Sequence, residues 1–194
     1  MNISQLRKDI KKLSQPILAD HGFDHVGEMG ESIKTIENGN RLAILLDEIK
    51  DSHSFSISVR VFIYYVSIEE IFPDLATSNP YTLNKQLANE SISFDSCSSE
   101  NIQLILNKLI SIRAMDFFNE FSLDSNIITN LNNTDYQHWV TSDRVTLFKV
   151  KLASAALNKD NDALASVKEE AFNYCSKPWS EPDGKVIQEL CAYV

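Results

Sequence analysis

The side chains best suited to chemistry in this sequence are few and scattered. His21-Gly22-Phe23-Asp24-His25 places two imidazoles and a carboxylate within five residues, a donor set that a transition metal accepts. His21 and His25 have the i, i+4 spacing that would put both on one helical face. Gly22 between them ends a helix instead, and His53 and His138 stand alone without a second cluster. His21 then reads as a helix C-terminal residue favoured by the macrodipole, with no metal and no cofactor implied.

Carboxylates pair at Asp47-Glu48, Glu69-Glu70 and Glu169-Glu170. Neighbours diverge by about 100° on a helix and face opposite ways on a strand, so adjacency alone makes no acid–base pair. Walker A, GxGxxG, GxSxG, HExxH and EF-hand patterns are all missing from the sequence. Cys97 is the one cysteine in a loop-like setting and so the one candidate thiol nucleophile, while Cys175 and Cys191 fall at apolar helical positions. An odd count of three cysteines without CxxC spacing gives neither a disulfide framework nor a zinc ribbon. The catalytic inventory is therefore empty, and the expectation is a protein that is not an enzyme.

Charge is more informative. The chain of 194 residues has a formal net charge of −9 and a pI of about 4.9. That sign repels phosphate, which disfavours nucleic acid and anionic membranes and suits a basic protein partner. Residues 1–19 carry Arg7, Lys8, Lys11 and Lys12 against Asp9. Most of the acidity lies between residues 67 and 135, from which Glu69, Glu70, Asp74, Asp95, Asp116, Glu120 and Asp124 are the expected partner-binding residues. Two tryptophans in polar settings, Trp139 beside Tyr136 and His138, and Trp179 between Pro178 and Pro182, read as plugs at the end of a helical bundle rather than as anchors.

The elements that must position these groups follow from periodicity. Ile3, Leu6, Ile10, Leu13 and Ile17 line one face of a leading helix over residues 3–20, which Asn2 or Ser4 can cap, Pro16 should kink or divide, and Gly22 ends. Ser32–Glu37, Arg41–Ile49 and Phe55–Ile63 read as three strands, joined by Glu37-Asn38-Gly39-Asn40 and by Asp51-Ser52-His53. Ser67, with Glu70 completing a capping box, opens a short helix through Phe72. Pro73–Pro80 reads as a loop, Tyr81–Asn89 as helical, and Ser91–Asp95 as a short fourth strand at the sheet edge.

The rest is helical. Ser98 or Ser99 opens a helix burying Ile102, Ile105, Leu106, Leu109 and Ile112, and a short one from Ser122 carries Ile127, Ile128 and Leu131 and runs into the polar break Asn130–Thr134. Thr141 or Ser142 caps a helix with Val145, Phe148, Leu152 and Ala155 inward. Asn158-Lys159-Asp160-Asn161 turns it into a partner bearing Leu164, Val167, Ala171 and Cys175, and a final helix carries Val186, Ile187 and Leu190. The expected fold is α+β: an N-terminal helix, an antiparallel meander of three to four strands, and a C-terminal helical half with a helical hairpin. It is read as one domain over 1–194, with a helix-and-meander sub-domain at 1–96 and a helical sub-domain at 97–194. No signal peptide or spanning segment is apparent, which points to the cytoplasm.

Pro16, Leu18, Gly22 and Phe23 form the pattern P-x-L-x-x-x-G-F, and this resembles the close of the leading helix in a family of uncharacterised bacterial proteins. Leu152-Ala153 through Ala165 is similar to the helical hairpin that closes that family's fold, while its Trp-rich segment is reduced here to His138-Trp139. Small acidic proteins of this kind resemble immunity proteins that neutralise bacterial toxins. The resemblance implies a binding protein covering a basic active site. The alternatives are an enzyme with a pocket between sheet and helices, or an adaptor that docks partners on its helices.

Overall fold

The computed structural model describes residues 3–50, 53–72, 81–122, 144–178 and 181–194. The chain divides into two units, Met1–Ile63 with Lys85–Ser122, and Tyr64–Asn84 with Leu123–Val194. The α+β architecture expected from the sequence is the one adopted.

In the first unit, α1 spans Ile3–Asp20 and buries Leu6, Ile10, Ser14, Ile17 and Leu18. Ser14 is tolerated in this stripe because its hydroxyl donates to the Lys11 carbonyl at 3.1 Å. The helix runs on through Pro16 as one element and is not divided there. Its end explains the P-x-L-x-x-x-G-F pattern. Phe23 N–H donates to the Leu18 carbonyl at 3.0 Å and Gly22 N–H to Ala19 at 2.9 Å, with Gly22 at φ +81°. These two bonds make a Schellman motif, in which Leu18 and Phe23 are the apolar pair that meets across the cap and Gly22 supplies the left-handed residue. Lys34 Nζ donates to the carbonyl of His21 at 2.9 Å, adding a cation at the negative end of the helix.

Among the described residues the sheet has five strands in the order β1-β2-β3-β4-β5: His25–Val26, Ser32–Thr35, Arg41–Lys50, Ser54–Tyr64 and Leu83–Ser93. The β1–β2 and β2–β3 hairpins share one design. Gly30 N–H bonds the Gly27 carbonyl and Gly27 N–H the Glu31 carbonyl, just as Gly39 bonds Ile36 and Ile36 bonds Asn40. Gly30 and Gly39 both lie at φ +85°. Each is thus a three-residue loop closed by a left-handed glycine, not the two-residue Asn-Gly turn, and Asn38 keeps negative φ while its side chain accepts from Asn40 N–H. The turn expected at Asp51-Ser52 lies outside the described residues, as do Asn2, the Pro73–Pro80 loop, and the helix, polar break and cap expected over 123–143.

Two expectations fail on β5 and α2. Residues 83–93 form one long strand, so Tyr81–Asn89 is not helical and the fourth strand is not short. Leu, Lys, Gln, Ala and Glu there favour a helix locally, and pairing with β4 overrides that weak preference. Helix α2 is Val66–Ile71, with Tyr65 at the cap and no capping side chain, so Ser67 lies within the first turn.

Helix α3 (Ser99–Asn107) starts at Ser98, whose hydroxyl accepts from Asn101 N–H at 3.2 Å. A π-helical segment, Lys108–Ala114, carries it into α4, Met115–Phe121. The wide turns shift the buried face: Ile102, Leu106 and Leu109 hand over to Ile110, Ala114, Phe117, Phe118 and Phe121. Ile112 therefore points outward, 53% exposed, and not inward as its α-helical spacing suggests.

The second unit is built on α5 (Arg144–Leu157), α6 (Asn161–Cys175) and α7 (Glu181–Tyr193). Helix α5 is buried on every side from Thr146 to Val150 and again from Leu152 to Ala155, the pattern of a central helix. The α5–α6 hairpin turns at Lys159, in the left-handed region at φ +54°, and Asp160 then caps α6 by accepting from Ala163 N–H. Lys151 pairs with Glu170 across it at 2.8 Å. Phe148, Ala171 and Ile187, one from each of these helices, form a core cluster, with Cys175 and Cys191 packed against it.

Candidate functional site

A cleft of about 560 Å³ lies in the first unit between α1 and the first three strands. Its α1 wall is the row Arg7, Lys11, Ser14, Gln15 and Leu18, one helical face running from cationic to apolar. The sheet wall is Ile44, Leu46 and Glu48, every second residue of β3, with Ser32 paired beside Ile44 and Val26 beside Ser32. Ile10 and Phe23 complete the apolar floor. Arg7 Nε donates to Glu48 Oε2 at 2.7 Å near one end, and His25 Nε2 stands 3.5 Å from Asp24 Oδ1 at the other. The volume falls in the range of small-molecule and peptide sites.

The structure separates the two histidines that the sequence puts together. His21 turns to Ser111 on the π segment, Nε2 to Oγ 2.9 Å, while His25 lines the cleft. Among the described residues no three His, Cys, Asp or Glu side chains gather as metal ligands would. Burial pushes the Cys97, Cys175 and Cys191 thiols up, so each is held as the unreactive thiol at neutral pH. Burial, followed by the Asp183 carboxylate, raises Tyr174 as well.

The second unit contains a polar cluster that sequence reasoning missed. Lys149 is 1% exposed on α5 and is paired to Glu69 of α2. Glu69 also accepts from Thr82 Oγ1 at 2.9 Å, and that oxygen accepts from Tyr65 N–H at 3.2 Å. A lysine at a helix position normally reads as solvated. Only the burial of α5 on all sides, legible as Leu147, Phe148, Val150 and Leu152 flanking it, marks this one as enclosed.

The expected partner-binding acids distribute as follows. Glu69 is turned inward to Lys149, whereas Glu70 on the same helix is exposed. Asp95 is exposed in a single 3₁₀ turn, Phe94–Ser96, that follows β5. Asp116 and Glu120 are exposed one turn apart on α4, with Glu120 close enough to act on Lys85 of β5. Asp74 and Asp124 lie outside the described residues, as do Tyr136, His138, Trp139 and Trp179. No helix among the described residues is long and apolar enough to cross a membrane.

Comparison with protein-family models, curated proteins and solved structures finds no match to this chain.

Proposed function

We propose that this chain works by binding a basic protein partner, as an immunity protein that neutralises a toxin by covering a cationic active site. The observation that carries the reading is the exposed acidity of α4, where Asp116 and Glu120 stand one turn apart on one helical side. Asp95 and Glu100 add two more exposed carboxylates to the same unit, and Glu70 a further one to the second unit. A surface of this sign steers a basic partner into encounter, while apolar contacts govern its release.

The test is protection. The product of the reading frame next to this gene is expressed with and without this chain, and cell survival and co-purification are followed. Rescue by the wild type, lost with Asp95→Lys, Asp116→Lys and Glu120→Lys together, supports the proposal. Equal rescue by wild type and triple variant, or a neighbouring product that neither harms cells nor binds, overturns it.

A further inference from the structure

We propose that the free half of β3, with the cleft beneath α1, is a docking groove for an extended polypeptide strand supplied by a partner. Strand β3 runs Arg41–Lys50, but β2 pairs with it only from Arg41 to Ile44, opposite Thr35 to Ser32. Beyond that point the chain of β2 turns away through Glu31 into the Gly27–Gly30 turn. Among the described residues no strand continues β2 alongside Leu45–Lys50, and no loop hydrogen bond reaches them. Among the described residues their backbone groups on that side therefore have no strand partner, and an unpaired edge is a feature that another strand completes and that a small molecule does not.

The cleft lies against this same stretch. Ile44, Leu46 and Glu48 line it at the two-residue period of a strand, and Ile10 and Leu18 of α1 face them. A strand added to the edge of β3 would extend the line of β2 and project alternate side chains toward this apolar floor. Arg7 and Lys11 on one wall are balanced by Glu48 and Asp24, so the groove favours no charge at its centre. The occupant it fits is a segment with apolar residues at every second position and uncharged residues between. Backbone pairing would supply affinity and the cleft would select side chains. This site uses none of the acids of α4 and does not depend on the partner being a toxin.

The experiment uses the full chain to select from a random-peptide phage library. An enriched peptide is then synthesised in its plain form and N-methylated at each of the two alternating sets of residues. The expected result is an alternating apolar pattern, binding weakened at least about tenfold by one methylated set and not by the other, and loss of binding with Leu46→Trp. N-methylation leaves the protein untouched, so misfolding cannot imitate that result. Absence of any enriched peptide, or binding that both methylated forms retain, overturns the proposal. The Asp95, Asp116 and Glu120 charge-reversed variant should bind these peptides as the wild type does, which separates the failure of this inference from failure of the toxin reading.

Discussion

Replacing either partner of the Lys149–Glu69 pair should destabilise the second unit, but unequally. Glu69→Gln leaves an ammonium that is 1% exposed without its counter-charge, and stranding a buried charge in this way costs about 3–5 kcal/mol. Lys149→Met leaves a carboxylate that is 19% exposed, still hydrogen-bonded by Thr82 and reachable by water. Methionine also fits the apolar lining of α5, so this change should cost about 1–3 kcal/mol. The double variant strands no charge, and its cost should fall below the sum of the two by roughly 2 kcal/mol or more. Urea denaturation followed by circular dichroism, with the midpoints and slopes of all four proteins, gives the cycle. Two results would refute the reasoning: Glu69→Gln milder than Lys149→Met, or costs that add within about 0.5 kcal/mol.

Three further outcomes follow from local geometry. Lys159→Gly should raise stability by about 0.5–1 kcal/mol, because residue 159 holds a left-handed conformation at φ +54° that glycine adopts without strain; an unchanged or lower denaturation midpoint contradicts it. Gly27→Ala should cost about 1–3 kcal/mol, since a Cβ there would lie 2.2 Å from the Glu31 carboxylate, which is buried and accepts from Met29 N–H. Adding Glu31→Ala should recover part of that loss, and an additive double variant would show that the contact is not the cause. Stability should also fall as pH rises above about 8.5, the ordinary thiol pKa. The folded state holds the three cysteines and Tyr174 protonated beyond their unfolded values, so it binds more protons than the unfolded chain in that window. Burial lowers Lys85, which opposes the trend with a single proton. Denaturation midpoints on either side of that pH, with and without Cys→Ala at positions 97, 175 and 191, should show a decline that the substitutions flatten.

Much of the fold was legible in the sequence wherever one periodicity met one partner. The α1 stripe, the alternation of Phe55, Ile57, Val59, Val61 and Ile63, and the Asn158–Asn161 turn each carry their structure in local pattern. Strand β5 was not legible, because its residues favour a helix and only β4 beside it makes a strand. The outward turn of Ile112 was hidden for a different reason: no local signal marks a π segment that shifts the buried face. At the level of the site, charge and exposure could be anticipated for Glu70, Asp95, Asp116 and Glu120. The inward turn of Glu69 could not, since it depends on Lys149, distant in sequence and enclosed by tertiary packing. The cleft was equally out of reach, because it arises where β2 ends short of β3, and pairing register decides that.

The central claim is that exposed acids guide a basic partner to this chain, and association kinetics test it most directly. Stopped-flow mixing with the neighbouring-frame product from about 50 mM to about 300 mM salt should show a wild-type association rate that falls steeply with ionic strength. The Asp95→Lys, Asp116→Lys, Glu120→Lys variant should associate at least about tenfold more slowly at low salt, with a much flatter salt dependence. A wild-type rate that does not change with salt, or a variant that matches it across the series, would contradict the account.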